Sequence, residues 1–272
     1  MTQAPFDWGP LLRDGPLFVG ILNVTPDSFS DGGQFTDPER AFQQAQRLVS
    51  QGAGMLDLGA ESTRPGAVPV PPGEEWQRLS PLLPRLARAL PGVPLSLDTR
   101  HEEVARLGLE QGAAVLNDVT GFITSGLLAL AQTSPCGVIA MRSRRQGEGF
   151  LMPPYDDSAP QTADQALAEL RTLRDHLRVA GIADRRVLLD PGFGFGTTYL
   201  EDQALWQSLP KLPSLLDWPI DRFCLGISRK RFVAFRAGQP KLPPNARDPF
   251  TAALHAEAMA WGYRVFRTHT IG

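Results

Sequence analysis

The sequence predicts an α/β protein built as a (β/α)8 TIM barrel, and three observations support this fold class. Eight short apolar runs alternate with helical stretches along 272 residues, and such alternation is typical of a parallel sheet. The runs are continuously apolar, as expected for strands covered on both faces. No long linker divides the chain, and barrels of ~250 residues fold as one domain. We therefore predict one domain over residues 1–272, with 1–16 as an N-terminal extension.

Each predicted strand is a short run that ends near a polar residue. The strands are predicted over residues 17–24, 55–59, 95–98, 114–118, 138–141, 187–190, 223–227 and 264–268. The sequence stops soon after the eighth run, so the barrel is expected to lack its eighth helix.

Helix starts are predicted from capping boxes, in which a Ser or Thr is followed three residues later by Glu or Gln. Boxes begin at Thr36, Thr99 and Thr162. The helical stretch over 74–90 contains Pro81 and Pro84, which predict a kink or a restart because proline interrupts a helix interior. Two more helices are predicted over 199–209 and 248–261.

Composition excludes several classes of partner. The chain has 27 basic and 29 acidic residues, and this balance argues against the basic footprint of a nucleic-acid-binding protein. The two cysteines, Cys136 and Cys224, stand alone in apolar runs, so neither a disulfide framework nor a zinc motif is predicted. No secretory leader or long apolar span is visible. We predict a cytoplasmic protein without a membrane partner.

Polar residues follow most of the predicted strands, where a barrel places its active site. They are Asn23, Asp57, Asp98, Asn117, Asp118, Asp190, Ser228, Lys230, Arg267 and His269. One such carboxylate alone would more simply cap a helix or form an ion pair, and Asp118 keeps that interpretation. Several carboxylates converging on one mouth favour a binding site, because a buried charge needs a partner.

The residue types indicate what this mouth would bind. Carboxylates accept pairs of N–H donors, the Asn117 amide both donates and accepts, and Lys230 donates. The edge of a 2-amino-4-oxopyrimidine matches this set. Asn23, Arg267 and His269 lie beside loops rich in Gly, Ser and Thr, which suits a phosphate with a bound cation.

Two loops are dense in functional groups. Residues 23–33 and 61–66 both carry hydroxyls and a charge, together with Phe29 in the first loop and Arg64 in the second. Turn formation explains their Gly, Asp and Pro residues. It does not explain the hydroxyls or these two large side chains at the expected active face.

The motifs of this chain resemble those of the dihydropteroate synthase family. They are Gly-Ile-Leu-Asn-Val-Thr-Pro-Asp-Ser-Phe-Ser-Asp-Gly-Gly at 20–33, Glu-Ser-Thr-Arg-Pro-Gly at 61–66, Asp-Thr at 98–99, Asn-Asp at 117–118, Asp-Pro-Gly-Phe-Gly-Phe-Gly at 190–196 and Ser-Arg-Lys at 228–230. The resemblance runs in order from residue 20 to residue 269, almost the whole chain. The first and fifth motifs are long and therefore specific.

The resemblance implies a TIM barrel that joins para-aminobenzoate to 6-hydroxymethyl-7,8-dihydropterin pyrophosphate, with Mg²⁺ as cofactor and a homodimer as assembly. It assigns the pterin to Asp57, Asp98, Asn117, Asp190 and Lys230. It assigns the pyrophosphate to Asn23, Arg267 and His269, with Asn23 also at the metal. It assigns the aminobenzoate to Phe29, Thr63, Arg64, Pro65, Phe195 and Ser228. The catalytic set it implies is Asn23, Asp98, Lys230, Arg267 and His269.

The chain departs from the family pattern at several positions. Arg142 and Ser143 stand where the family usually has His-Met, and Thr197, Arg231 and Thr270 replace Lys, Ser and Asp. These departures leave two alternatives open: a pterin-binding paralogue without synthase activity, and a methyltransferase that uses a reduced folate on the same barrel type. The intact Ser-Thr-Arg-Pro loop argues against the methyltransferase.

Overall fold

A computed structural model of the chain describes residues 4–24, 37–61, 68–146, 149–150 and 162–271. Eight parallel strands form one sheet. They are β1 (Leu17–Asn23), β2 (Ala53–Gly59), β3 (Leu95–Asp98), β4 (Val115–Asp118), β5 (Gly137–Met141), β6 (Val187–Asp190), β7 (Cys224–Leu225) and β8 (Val265–Thr268).

The sheet closes into a barrel. Its strand order is β6-β5-β4-β3-β2-β1-β8-β7, and a parallel bridge between Leu189 and Phe223 joins β6 to the start of β7. The predicted (β/α)8 barrel is therefore confirmed. Strand ends move by one or two residues from the prediction, and β7 is the shortest, at two residues instead of five.

Helices cover the outside of the barrel. They are α1 (Gly9–Leu12), α2 (Asp37–Ser50), α3 (Pro72–Leu79), α4 (Leu83–Ala89), α5 (Glu102–Glu110), α6 (Ser125–Thr133), α7 (Asp164–Val179), α8 (Tyr199–Ser208), α9 (Leu212–Leu216), α10 (Arg231–Arg236) and α11 (Asp248–Ala260). The break between α3 and α4 confirms the restart expected at the two prolines.

Two of the predicted capping boxes are wrong. Thr99 lies before the helix, where its hydroxyl accepts from the backbone of His101 at 3.1 Å, and α5 begins without a side-chain cap. Ala163, not Thr162, precedes α7. The complete box is at α8, between Thr198 and Glu201. The third predicted box begins at Thr36, outside the described residues.

The N-terminal segment closes the bottom of the barrel. Trp8 is fully buried, and it packs with Leu12 against inward-facing residues of several strands. Its indole nitrogen donates to the carbonyl of Arg186 at 2.8 Å. Residues 4–16 therefore contribute to the core instead of extending away from the barrel. Where the structure describes the chain, no helix is both long and apolar enough to span a membrane.

Candidate active site

The register of the strands gathers polar residues at the upper rim of the barrel. Asn23 is paired with Gly59, Gly59 with Asp98, and Asp98 with Asn117. Because parallel strands all point the same way, the residues that end them meet at one mouth. Residues far apart in the sequence thus share one site, as the sequence predicts.

Arg267 links two carboxylates within this mouth. Its Nε donates to Asp57 Oδ2 at 2.6 Å, and one of its terminal nitrogens donates to Asp98 Oδ2 at 2.7 Å. Asn117 Nδ2 donates to the same Asp57 oxygen at 2.9 Å. Arg267, which the resemblance assigns to the pyrophosphate, is thus held by two of the acids that the resemblance assigns to the pterin.

The charges in this cluster perturb one another. Burial raises the pKa of the Asp98 carboxyl to about 7, and Asp57 adds repulsion, although Arg267 acts in the opposite direction. Burial alone would lower the pKa of Arg267, but Asp57 and Asp98 outweigh it and raise that pKa. Asp57 Oδ1 is buried and accepts no hydrogen bond from the described residues. The cluster therefore keeps acceptor capacity for a ligand.

Asp190 and Lys230 form the other wall of the mouth. Asp190 is buried and accepts from the Gly192 backbone nitrogen at 2.8 Å. A Cβ on Gly226 would lie only 2.8 Å from Asp190 Oδ2, so the strand needs a glycine there to leave room for the carboxylate. Burial raises the pKa of Asp190, while Lys230 opposes that rise.

Lys230 is placed for contact with a ligand. Its Nζ lies 4.5 Å from the centre of the Phe195 ring, a distance typical of a cation–π contact. Burial lowers the pKa of Lys230 to about 8, although Asp190 favours its charged form. The amine therefore stays protonated at neutral pH and can donate to a heterocycle.

Ser228 and His269 meet at the side of the mouth formed by β7 and β8. Ser228 Oγ lies 2.9 Å from His269 Nδ1 and accepts from the His269 backbone nitrogen at 3.2 Å. The serine thus orients the imidazole, which is a different contact from the aminobenzoate role that the resemblance implies. Whether Ser228 also contacts that substrate stays a prediction.

Four predicted aminobenzoate residues, Phe29, Thr63, Arg64 and Pro65, lie outside the described residues. Asn23 ends β1 at the mouth and is half-buried. Among the residues that the structure describes, no group of three or more His, Cys, Asp or Glu side chains is arranged to hold a metal.

The departures from the family pattern have separate structural roles. Thr197 Oγ1 donates to Asp202 Oδ1 at 2.6 Å, inside the turn that precedes α8. Arg231 is an exposed residue in the first turn of α10. Thr270 accepts through its backbone oxygen from Thr268 at 2.9 Å. Asp118 accepts three bonds from Thr120 and Phe122, which fits the structural role predicted for it.

Sequence reasoning missed Asp202 as a residue of this region. Its carboxylate is fully buried and accepts from the Gly194 backbone nitrogen at 3.1 Å. Burial raises the pKa of Asp202 to about 6, although the Thr197 hydroxyl opposes the rise. An acid in the first turn of a helix looks like an ordinary partner of the helix dipole, so the sequence carries no signal for this contact.

Comparison with known proteins gives the family. A model of the pterin binding enzymes matches residues 19–269, which include all the polar strand ends described above. This chain belongs to the pterin-binding enzyme family. A relative in Neisseria meningitidis serogroup C, named dihydropteroate synthase, is 35% identical over 95% of this chain and 89% of its own length.

Solved structures of family members superpose over nearly the whole chain. A dihydropteroate synthase from Xanthomonas albilineans with 4-aminobenzoic acid has a TM-score of 0.84 at 35% identity, covering 99% of this chain and 94% of its own. The same organism's enzyme in complex with 7,8-dihydropteroate has a TM-score of 0.80 at 34% identity, covering 95% and 89%. This chain therefore has the same barrel fold as these solved members of the family.

Proposed function

We propose that this chain is a dihydropteroate synthase. It condenses 6-hydroxymethyl-7,8-dihydropterin pyrophosphate with para-aminobenzoate and releases 7,8-dihydropteroate and pyrophosphate. The observation that carries the proposal is the ring of paired acids and cations at the barrel mouth, in which Asp57 and Asp98 share Arg267. Two relatives that match 95% and 91% of this chain are named dihydropteroate synthase.

The pterin ring is held by the buried wall of the mouth. Asp190 accepts from the N–H groups of the pyrimidine edge, and the protonated Lys230 donates to its acceptors. Asn117, which already donates to Asp57 at 2.9 Å, supplies an amide that can both donate and accept. Low water content strengthens each of these bonds, because charge-assisted hydrogen bonds gain in a low-dielectric site.

The reaction breaks the bond between the pterin methylene and the pyrophosphate oxygen. The aminobenzoate nitrogen is already a nucleophile and forms a bond to that methylene without a strong general base. The ammonium group formed by this attack then releases its proton to the departing pyrophosphate or to water. Arg267 and His269 stabilise the charge on the departing pyrophosphate, as preorganised donors do for a developing anion. The ionised form of Asp98, at the same mouth, stabilises the positive charge that spreads over the pterin.

The residues fit Mg²⁺ as a cofactor shared with the substrate. Mg²⁺ prefers oxygen ligands and is commonly held by one or two protein groups together with substrate phosphates. Asn23 offers one amide oxygen at the rim, and the described part of the chain has no three-ligand cluster that would hold the ion alone. When bound, the ion would neutralise charge on the leaving pyrophosphate.

The test is a direct assay of the reaction. The protein is incubated with both substrates and Mg²⁺, and dihydropteroate and pyrophosphate are measured in the same samples. We expect the two products in equal amounts, and their loss on chelation of the metal. Pterin binding without either product would instead indicate the paralogue, and methyl transfer from a reduced folate would indicate the methyltransferase.

Two further properties stay predictions. A homodimer is expected from the resemblance, and sedimentation at micromolar concentration tests it, since a single species of 29.7 kDa would contradict it. A cytoplasmic location is expected from the sequence, and fractionation of the source cells tests that location.

A further inference from the structure

Two arginines after β5 hold the loop that follows β6, here called the glycine loop (residues 190–196). Arg142 is 3% exposed, although it stands where the family pattern has a different residue. Its Nε donates to the carbonyl of Pro191 at 2.7 Å, and one terminal nitrogen donates to the carbonyl of Gly192 at 2.7 Å. The first part of the glycine loop is therefore fixed by one buried cation.

Arg144 holds the other end of the glycine loop. Its Nη1 donates to the carbonyl of Gly196 at 3.0 Å and to Glu201 at 2.8 Å. Glu169 on α7 joins the two arginines, because its carboxylate accepts from Arg142 at 3.0 Å and from Arg144 at 2.7 Å. Glu169 thus joins the two cations that contact both ends of the loop, and Glu201 supplies a second negative charge to Arg144.

The hydrogen bonds from Arg142 are connected to two residues of the proposed ligand site, Asp190 and Phe195. The Gly192 carbonyl that accepts from Arg142 also accepts from the Phe195 backbone nitrogen at 3.1 Å. The Gly192 nitrogen donates to Asp190 Oδ1, and the Phe195 ring lies beside the Lys230 amine. The two peptide groups that flank Gly192 therefore link Arg142 to the Asp190 carboxylate and to the backbone of Phe195.

The glycine loop needs hydrogen bonds that hold it because its glycine residues have high conformational freedom. Gly192 has a φ of +68°, and a Cβ at that position would overlap the Arg142 carbonyl oxygen. Glycine is thus required at this contact, and a glycine-rich segment has more conformational freedom to lose than any other. Hydrogen bonds from a rigid guanidinium fork restrict that freedom better than a flexible ammonium can.

We propose that Arg142 and Arg144, joined by Glu169, position the glycine loop so that Asp190 is preorganised to bind the pterin, with Phe195 held beside Lys230. The pterin part of this inference rests on the proposed function. None of the three residues needs to touch the substrate, so each is a positioning residue. A purely structural role is the alternative, and it predicts lower stability without a specific change in the loop or in ligand affinity.

A matched control exists at the opposite end of the barrel. Arg186 is also buried, at 7% exposure, and donates to the carbonyls of Cys136, Ala131 and Ser134 at 2.8 Å. Arg186→Lys removes the same kind of guanidinium-to-carbonyl bonds as Arg142→Lys, far from the mouth. Both variants are expected to lower the melting temperature, which makes stability loss alone uninformative.

Hydrogen exchange tests the constraint without any ligand. In Arg142→Lys we expect the amides of residues 192–196 to exchange at least tenfold faster than in the parent, relative to the change in Arg186→Lys. Glu169→Gln, whose side chain is 28% exposed and therefore easier to replace, should show a smaller change in the same segment. Equal exchange of this segment in the parent, Arg142→Lys and Glu169→Gln would overturn the inference.

Calorimetry with 6-hydroxymethylpterin monophosphate tests the consequence for binding. We expect Arg142→Lys to weaken the affinity at least fivefold and Arg186→Lys to leave it within twofold. Faster loop exchange with unchanged affinity would refute the positioning role. A parent protein that does not bind the pterin would refute the proposed function and the pterin part of this inference, while the exchange experiment would still decide whether the arginines constrain the loop.

Discussion

The two ends of the barrel use buried polar groups in opposite ways. At the bottom, the guanidinium of Arg186 is surrounded by backbone carbonyls, and Trp8 donates its indole hydrogen to a carbonyl. At the mouth, Asp57 keeps a buried oxygen without a described partner, and burial perturbs the pKa values of Asp98 and Lys230. The bottom is complete in itself, whereas the mouth is arranged for a ligand that supplies missing partners.

Trp8→Ala should cause the largest loss of stability, because the Trp8 side chain fills the bottom of the barrel. The side chain is fully buried, and Phe6 packs against its ring at 4.9 Å between centroids. Truncation of a buried Trp costs roughly 3–5 kcal/mol of stability, measurable by urea denaturation. Trp8→Phe is the control, since it keeps most of the packing and loses mainly one bond. A decrease in the free energy of unfolding of less than ~1 kcal/mol in Trp8→Ala would contradict the role of Trp8 in the core at the bottom of the barrel.

Asp190→Asn should have the largest effect on ligand binding. Removing one partner of a buried charged contact typically costs about 2–5 kcal/mol in binding, so pterin affinity should fall more than tenfold by calorimetry. Asp184→Asn is the control, because Asp184 pairs with Arg178 on the outside of the protein. Unchanged affinity in Asp190→Asn would refute the assignment of this acid to the pterin wall.

Asp98 should make the stability of the mouth depend on pH. Its folded pKa is raised to about 7 from 3.8, so the folded state holds more protons between these values and stability falls as the pH rises through this window. Asp98→Asn removes that titration. We therefore subtract the free energy of unfolding of the parent from that of Asp98→Asn at each pH. This difference should rise by about 1–3 kcal/mol between pH 5 and pH 8. Parallel denaturation profiles would argue against this raised pKa.

Glu110→Gln should have the smallest effect on stability. It shows how much an exposed ion pair contributes, for comparison with the other variants. Glu110 pairs with Arg106 at 2.8 Å on the exposed face of α5. Exposed pairs of this spacing contribute about 0.3–0.5 kcal/mol, so the free energy of unfolding should change by no more than that. A larger change would mean that ion pairs on the outer surface also contribute strongly to stability. The charged groups at the mouth would then be less distinct from those elsewhere in the protein.

The fold was predictable because the strand signal is local. Short runs rich in apolar residues, several of them ending at a polar residue, mark β1 to β6 and β8 in the sequence, and the structure moves their ends only slightly. β7 agreed least with its predicted bounds: it ends at Leu225, and a Cβ on the next residue, Gly226, would lie 2.8 Å from Asp190 Oδ2. That close approach depends on a residue in another strand and cannot be seen locally.

The capping signals were less reliable than the strand signals. Thr99 and Thr162 have the right spacing to an acid or amide, yet α5 and α7 begin later than they predict. Thr198 has the same spacing and does cap α8. A cap forms only where the backbone brings the hydroxyl within reach of the N2 or N3 amide, and the spacing of residues alone does not encode that backbone conformation.

The members of the candidate site were predictable, but their partners were not. The polar strand ends identified Asp57, Asp98, Asn117 and Asp190 as residues of one mouth. The sequence did not indicate that Arg267 would bridge two of these acids, since it lies 210 residues from Asp57. The buried arginine after β5 was visible only as a departure from the family pattern, with no sign of the loop it holds.

The sequence by itself determined the barrel, the rim on which the chemistry lies and the kinds of group found there. These follow from hydrophobic periodicity and from the residue at the end of each strand, both of which are properties of short segments. The tertiary structure alone decided which charges pair, which oxygen of Asp57 stays without a partner, and how the glycine loop is held. Those outcomes depend on register, burial and distance between segments, and they arise only when the barrel closes.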